Sequence, residues 1–343
     1  MRLSTTISTL AAAAVFAPLA LANSGGGDLV INEIRTDQPG GDVDEYFELR
    51  GTPGASLDGL TYVVIGDGTG GSGVIDGSGA IDLTGNVIPA SGYFVAAEST
   101  FTLGVADFTA SLGFENSDNV THLLVEGFTG SPGDDLDTDD DGVLDVTPWT
   151  AIVDSVALRE EVGGGELLYS PNICGPNGTF VPGHFYLESD GTDSLVHYAI
   201  GEFDTVTGVD TPGAANAPGS LLPQAFGGNM GMNLCAGAAN AGNLYLTLLS
   251  VSGTAPGTPA GSFLLPLNFD ALLTASLASA GSPPFINTLG FLDADGNAPF
   301  NEIAFPVLPA GFLGQTVNAA SIVLNPANLE ITFVSNAVGV TFD

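Results

Sequence analysis

The sequence contains no lysine. Its only strong cations are Arg2, Arg35, Arg50 and Arg159, set against 39 acidic residues, for a formal charge of −35. Nucleic-acid binding depends on Lys and Arg neutralising phosphates, so this balance argues against that class. It argues equally against anionic membrane surfaces. Long hydrophobic runs are also missing, since no segment approaches the roughly 20 apolar residues of a membrane-spanning helix. Cysteine is scarce: Cys174 and Cys235 stand alone, outside any Cys/His cluster of metal-site spacing. The three histidines, His122, His184 and His197, form neither an HxH nor an HExxH pattern, which argues against zinc. No GxSxG nucleophile elbow occurs.

What is present begins with an address. Arg2, the apolar run Leu10–Leu21 and the small-residue stretch Ala20–Ala22 read as a secretory signal over residues 1–22. The mature chain then starts at Asn23 and is extracellular. In that compartment Cys174 and Cys235 either bridge or remain two free thiols. A bridge would close a loop of about 60 residues and contribute about 4 kcal/mol in the chain-entropy model. The acidity is not a sign of disorder, because 44% of residues are hydrophobic and can form a core. The 48 glycines and 21 prolines, with abundant Thr, Ser and Val, predict many short strands joined by turns. The expected class is all-β, with no long amphipathic helix after the signal.

Composition changes near residues 211–223, "TPGAANAPGSLLP", which has the make-up of a linker. After Gly219 the acidic residues are only Asp270, Asp293, Asp295, Glu302, Glu330 and Asp343, and no basic residue follows. Two regions are therefore expected, 28–218 and 219–343, each of single-domain size. In the first, "LVINEIR", "EYFELR", "LTYVVIG", "GYFVAAE", "VTHLLVEG" and "AIVDSVAL" read as strands. In the second, "NLYLTLLSVSG", "FLLPLNFD", "NEIAFPV", "ASIVLNP", "LEITFVS" and "AVGVTF" do the same, and "LDADGNA" has the composition of a hairpin turn.

"LVINEI" followed by "DEYFELR", then "LTYVVIGDG", "IPASGYFVAAE", "IVDSVAL" and "TPGAAN" in that order, resembles the lamin-tail-like domain of bacterial secreted proteins. The likeness spans about residues 28–218. It implies an immunoglobulin-like β-sandwich and a non-catalytic domain of the kind appended to exported enzymes. Glu33 and Glu48 could be imagined as an acid/base pair, but both match acidic positions of that pattern, which implies a structural role. Residues 219–343 more loosely resemble the C-terminal β-domains of planctomycete-type secreted proteins, which implies a second small sandwich and no defined activity.

One stretch carries chemistry of its own. "DLDTDDDGVLD", Asp135–Asp145, lies within an insertion (134–145) between two strands of the first region. Aligned from Asp137, it places Asp137, Asp139 and Asp141 at calcium-loop positions one, three and five, Gly142 at the sharp turn, the Val143 carbonyl at seven and Asp145 at nine. Alternate spacing lets carboxylates converge on one hard cation. Position twelve, a bidentate glutamate in an EF-hand, is Pro148 here, and no helices flank the loop. Calcium is the expected ligand, with affinity in the weak extracellular range of about 10⁻⁴ to 10⁻³ M. The alternative is a solvated acidic turn.

The expected function is that of a secreted, non-catalytic, calcium-binding β-protein. It would act on a protein or glycan surface in adhesion, envelope or matrix assembly, or support of a partner. The competing expectation is an extracellular hydrolase of nuclease or phosphodiesterase type with a calcium-stabilised site.

Overall fold

The computed structural model describes residues 29–342 except 67–71, 161–166, 178–179, 189–193, 202, 206–209, 217–219, 222–228, 295, 299–300 and 305–309. The signal segment and part of the linker-like stretch therefore lie outside the described residues. In chain order the strands are β1 (Val30–Arg35), β2 (Tyr46–Arg50), β3 (Leu60–Gly66), β4 (Val74–Asp82), β5 (Tyr93–Ala97), β6 (Phe108–Thr109), β7 (Val120–Glu126), β8 (Ala151–Leu158), β9 (Ile173–Cys174), β10 (His184–Glu188) and β11 (Leu195–Ile200). They continue as β12 (Ser220–Leu221), β13 (Asn229–Leu234), β14 (Leu244–Ser250), β15 (Thr258–Ala260), β16 (Phe263–Leu265), β17 (Phe285–Ile286), β18 (Leu289–Phe291), β19 (Asn301–Ala304), β20 (Gln315–Leu324), β21 (Ile331–Val334) and β22 (Val338–Phe342). Among the described residues there is one α-helix, α1 (Ala271–Ala278), capped by the Asp270 carboxylate, which accepts from the Leu273 amide.

Strand accounts for 43% of the chain and helix for 5%, so the protein is all-β, of sandwich type. A nine-stranded sheet runs β17-β19-β13-β11-β10-β1-β2-β5-β6. A five-stranded sheet, β4-β3-β7-β8-β9, lies over one half of it. Between them the core holds Ile34, Phe47, Leu49, Tyr62, Phe94, Leu124 and Phe185. Phe47 and Tyr62 stack with ring centroids 3.7 Å apart. The other half of the nine-stranded sheet is covered by a second sheet, β12-β22-β20-β14-β18 with β21 on β20. Met230, Met232, Leu234 and Ile303 meet Tyr245, Val323, Val340 and Phe342 there.

The second sandwich thus shares a sheet with the first. β11, from the first region, pairs antiparallel with β13 of the second, from Leu195↔Leu234 to Tyr198↔Gly231. A buried ion pair also crosses between the regions, with Arg159 Nη2 2.6 Å from Glu302 Oε1.

Most expected strands are present. β4 lies in the glycine-rich segment that composition marks as a connection. It forms because pairing with β3 buries Ile81 in the core between the sheets and, across a register shift, Ile75 in the smaller cluster with Ile65 and Leu136. "FLLPLNFD" keeps only three residues of strand, after which the chain turns into α1. "LDADGNA" forms a turn, closed by the Asp293 amide on the Asn297 carbonyl at 2.9 Å, but not the hairpin its composition suggests, because β18 and β19 on either side of it belong to different sheets.

Candidate functional site

The aspartate loop is tied into the fold at its start. The Ile75 amide donates to the Asp134 carbonyl at 3.0 Å, the Leu136 amide to the Gly73 carbonyl at 3.0 Å, and the Asp145 amide back to the Leu136 carbonyl at 2.8 Å. Leu136 is wholly buried with Val63, Ile65, Ile75, Leu123 and Val125. This anchor holds the first ligand position in place. Asp137 is itself fully buried. Its Oδ1 accepts from the Asp141 amide at 3.2 Å, and its Oδ2 from the Gly142 amide at 2.9 Å and the Tyr169 hydroxyl at 2.7 Å. Gly142 takes φ 84°, a left-handed conformation that a side chain would strain.

Asp137, Asp139 and Asp145 each offer a carboxylate oxygen within 4.8 Å of the others. The fold thus brings together the residues at positions one, three and nine. Asp141, at position five, stands outside this trio, its Oδ1 accepting from the Val143 amide at 2.9 Å. The Val143 side chain is exposed. The Asp145 Oδ2 is held by the Thr138 amide at 2.9 Å and hydroxyl at 2.5 Å. Asp140, to which the spacing gives no ligand role, adopts φ 53° and accepts from the Ser72 amide at 3.0 Å. It ties the loop to the β3–β4 connection. The Asp139 carboxyl is raised above its ordinary value, first by the charge of Asp141 and further by Asp145 and Asp137. Mutual repulsion of this kind is what a bound cation relieves.

A second cluster is of a different nature. Glu33 and Glu48 lie directly opposite each other on β1 and β2, next to a bulge at Asn32. Both are wholly buried under the segment Asp210–Asn216. Glu33 accepts from the Thr211 amide at 3.0 Å and its hydroxyl at 2.9 Å, and Glu48 from the Gly213 amide at 2.5 Å and Asn32 Nδ2 at 2.6 Å. Burial pushes Glu48 up to about 8. His184 Nε2 lies 2.8 Å from Glu33 and 3.7 Å from Asp210, so these three could in principle cage a metal. Arg35 already fills the cationic role, forking onto both Asp210 oxygens at 2.6 and 2.5 Å. The pair is therefore the fastening of "TPGAAN" onto the sheet.

The other histidines are interior. His122 Nδ1 meets the Tyr62 hydroxyl at 3.0 Å, and burial drives both His122 and His197 down to about 3. His197 Nε2 also stands 2.5 Å from Glu188 Oε2. Cys174 and Cys235 are free thiols, and burial pushes Cys174 up to about 12.

Sequence spacing gave no hint of one further feature. An open cleft of about 510 Å³ is lined by Asp42, Glu45, Asp76, Glu98 and Glu115, with Phe114 at its floor. Glu45 is pushed up to about 8, chiefly by burial and next by Glu98. Asp76 is pushed up to about 6 by burial, against the opposing hydrogen bond from the Glu115 amide. These carboxyls come from the β1–β2 connection (Asp42, Glu45), β4 (Asp76), the residue after β5 (Glu98) and the 112–116 loop, whose junction only the folded sheets create. Asp76 directly follows Ile75, the residue to which the aspartate loop is anchored.

Compared with models of known protein families and with curated proteins, the chain matches none.

Proposed function

We propose that the protein is a secreted, calcium-binding β-protein that acts through its surfaces, on a protein or glycan partner, in adhesion or in envelope or matrix assembly. The lamin-tail-like likeness of residues 28–218 and the signal-like N-terminus support the non-catalytic, exported part of this reading. The observation that carries the calcium part is that carboxylate oxygens of Asp137, Asp139 and Asp145 lie within 4.8 Å of one another, with Asp137 buried and held in place. Oxygen-only ligands on a flexible rim suit calcium better than magnesium, which demands a near-ideal octahedron. Asp141 completes the set by releasing the Val143 amide and turning inward. The affinity is then in the weak extracellular range, about 10⁻⁴ to 10⁻³ M.

The test is calorimetric calcium titration of the chain beside an Asp139→Asn, Asp145→Asn variant. Saturable heat lost in the variant supports an ion site. Identical titrations reduce the loop to an acidic turn.

The acidic cleft favours a second reading, an extracellular hydrolase. Glu45 would hold its proton at neutral pH and serve as general acid, while Asp76 sits on a strand buttressed by the aspartate loop. Turnover of glycoside or phosphodiester substrates that Glu45→Gln abolishes would displace the non-catalytic reading. No turnover in calcium would remove the hydrolase.

A further inference from the structure

The outer face of the six-stranded sheet is covered at one end and open at the other. Leu265, Leu267 and Leu273, from β16, the turn after it and α1, pack over Leu246 and Leu248 at the covered end. At the open end Phe291, Leu244, Leu324 and Ile331 stand directly opposite one another across β18, β14, β20 and β21. Opposed residues of antiparallel strands share a face. Here it is the face turned away from the nine-stranded sheet, because the alternate residues Tyr245 and Val323 enter the core beneath. Phe291 is 61% exposed, and the other three are half-buried. The adjoining row begins with Leu289, 44% exposed, opposite Leu246.

We propose that this open end is an interface between two copies of the chain, packed face to face about a two-fold axis. Charge selects the partner. A molecule of formal charge −35 repels its own copies wherever acidic surfaces meet. Only six of the 39 acidic residues follow Gly219, and of these the exposed Asp293, two residues past Phe291, and Glu330, which hydrogen-bonds with Asn328, adjoin the apolar row. Two copies meet here with less repulsion than over the first region, which carries most of the acidic residues, and apolar rows face apolar rows. Two such sheet faces pack about 10 Å apart, as the layers of a sandwich do. Anionic lipid is repelled by the net charge. A sugar would want several aromatic platforms and polar donors, and the row supplies one aromatic ring and aliphatic side chains. The proposal depends on neither the calcium nor the hydrolase reading.

The experiment is sedimentation equilibrium of the full chain in physiological and in high salt. The expected result is a monomer–dimer equilibrium that tightens as salt screens the residual repulsion. Phe291→Glu and Leu289→Glu, each on an exposed position and each confirmed to melt as the parent does, should raise the dimer dissociation constant by roughly tenfold or more. Val105→Glu, at an 83% exposed site of the first sandwich, should leave it unchanged. A parent that stays monomeric at its solubility limit in high salt overturns the proposal. So does a dimer indifferent to both variants at positions 289 and 291, or a monomer that instead floats with phosphatidylcholine vesicles.

Discussion

Leu136→Ala tests whether the aspartate loop is built into the protein or hung on its surface. Leu136 is fully buried within a small core of Val63, Ile65, Ile75, Leu123, Val125, Ile152 and Tyr169. Truncating a leucine in such a setting removes its transfer free energy and leaves a cavity, together about 2–5 kcal/mol. The backbone around it is fixed by the amide bonds to Gly73 and from Asp145, which limits collapse into the void. A value near 3 kcal/mol is therefore expected. Trp149, the single tryptophan, packs against this same core and gives a local probe. The assay is urea unfolding followed by Trp149 fluorescence, with a chelator present so that no ion masks the effect. The midpoint should fall while the slope stays unchanged. A loss below about 1 kcal/mol would mean that the loop moves freely, and the preorganisation argued for Asp137 would fail with it.

Four further outcomes are expected. Tyr169→Phe removes the 2.7 Å hydrogen bond to the buried Asp137 and should cost about 1–3 kcal/mol in the same assay. Gly201→Ala would set a Cβ 1.8 Å from His184 Nδ1, on a ring already fixed by Glu33, and should cost about 3 kcal/mol in thermal or urea melts. Stability should fall as pH rises from about 4.5 to about 8. Glu45 and Glu48 are held at about 8 in the fold, so each stabilises fully below its ordinary value and loses that contribution as it ionises on the way up. Glu45→Gln keeps an acceptor for the Phe114 amide and should flatten this decline, by up to about 1.4 kcal/mol per pH unit, in melts recorded across that range.

The alternating and apolar runs were legible as strands because they satisfy the pleat locally. "YFELR" and "VTHLLVE" needed no partner to be recognised. β4 was not, since its segment is rich in glycine and aspartate and becomes a strand only by pairing with β3. α1 escaped notice because its eight residues have no polar face. In the aspartate loop the spacing was readable, and so was the turn at Gly142. The outward turn of Asp141 was not, as it depends on which amides the folded loop leaves free. The acidic cleft was invisible for a topological reason: its carboxyls lie on four separate segments, and no spacing relates them.

The ladder between β11 and β13 has a consequence for how the chain can be cut. The stretch before β13 reads by composition as a place to divide the protein. Division there would strip β11 of its neighbour and expose a bare edge of Leu195, Val196 and Tyr198. Such an edge recruits strands from other molecules. Either half expressed alone should therefore precipitate or cross-pair. A protease that nicks the connection should yield two fragments that travel together until denaturant parts them.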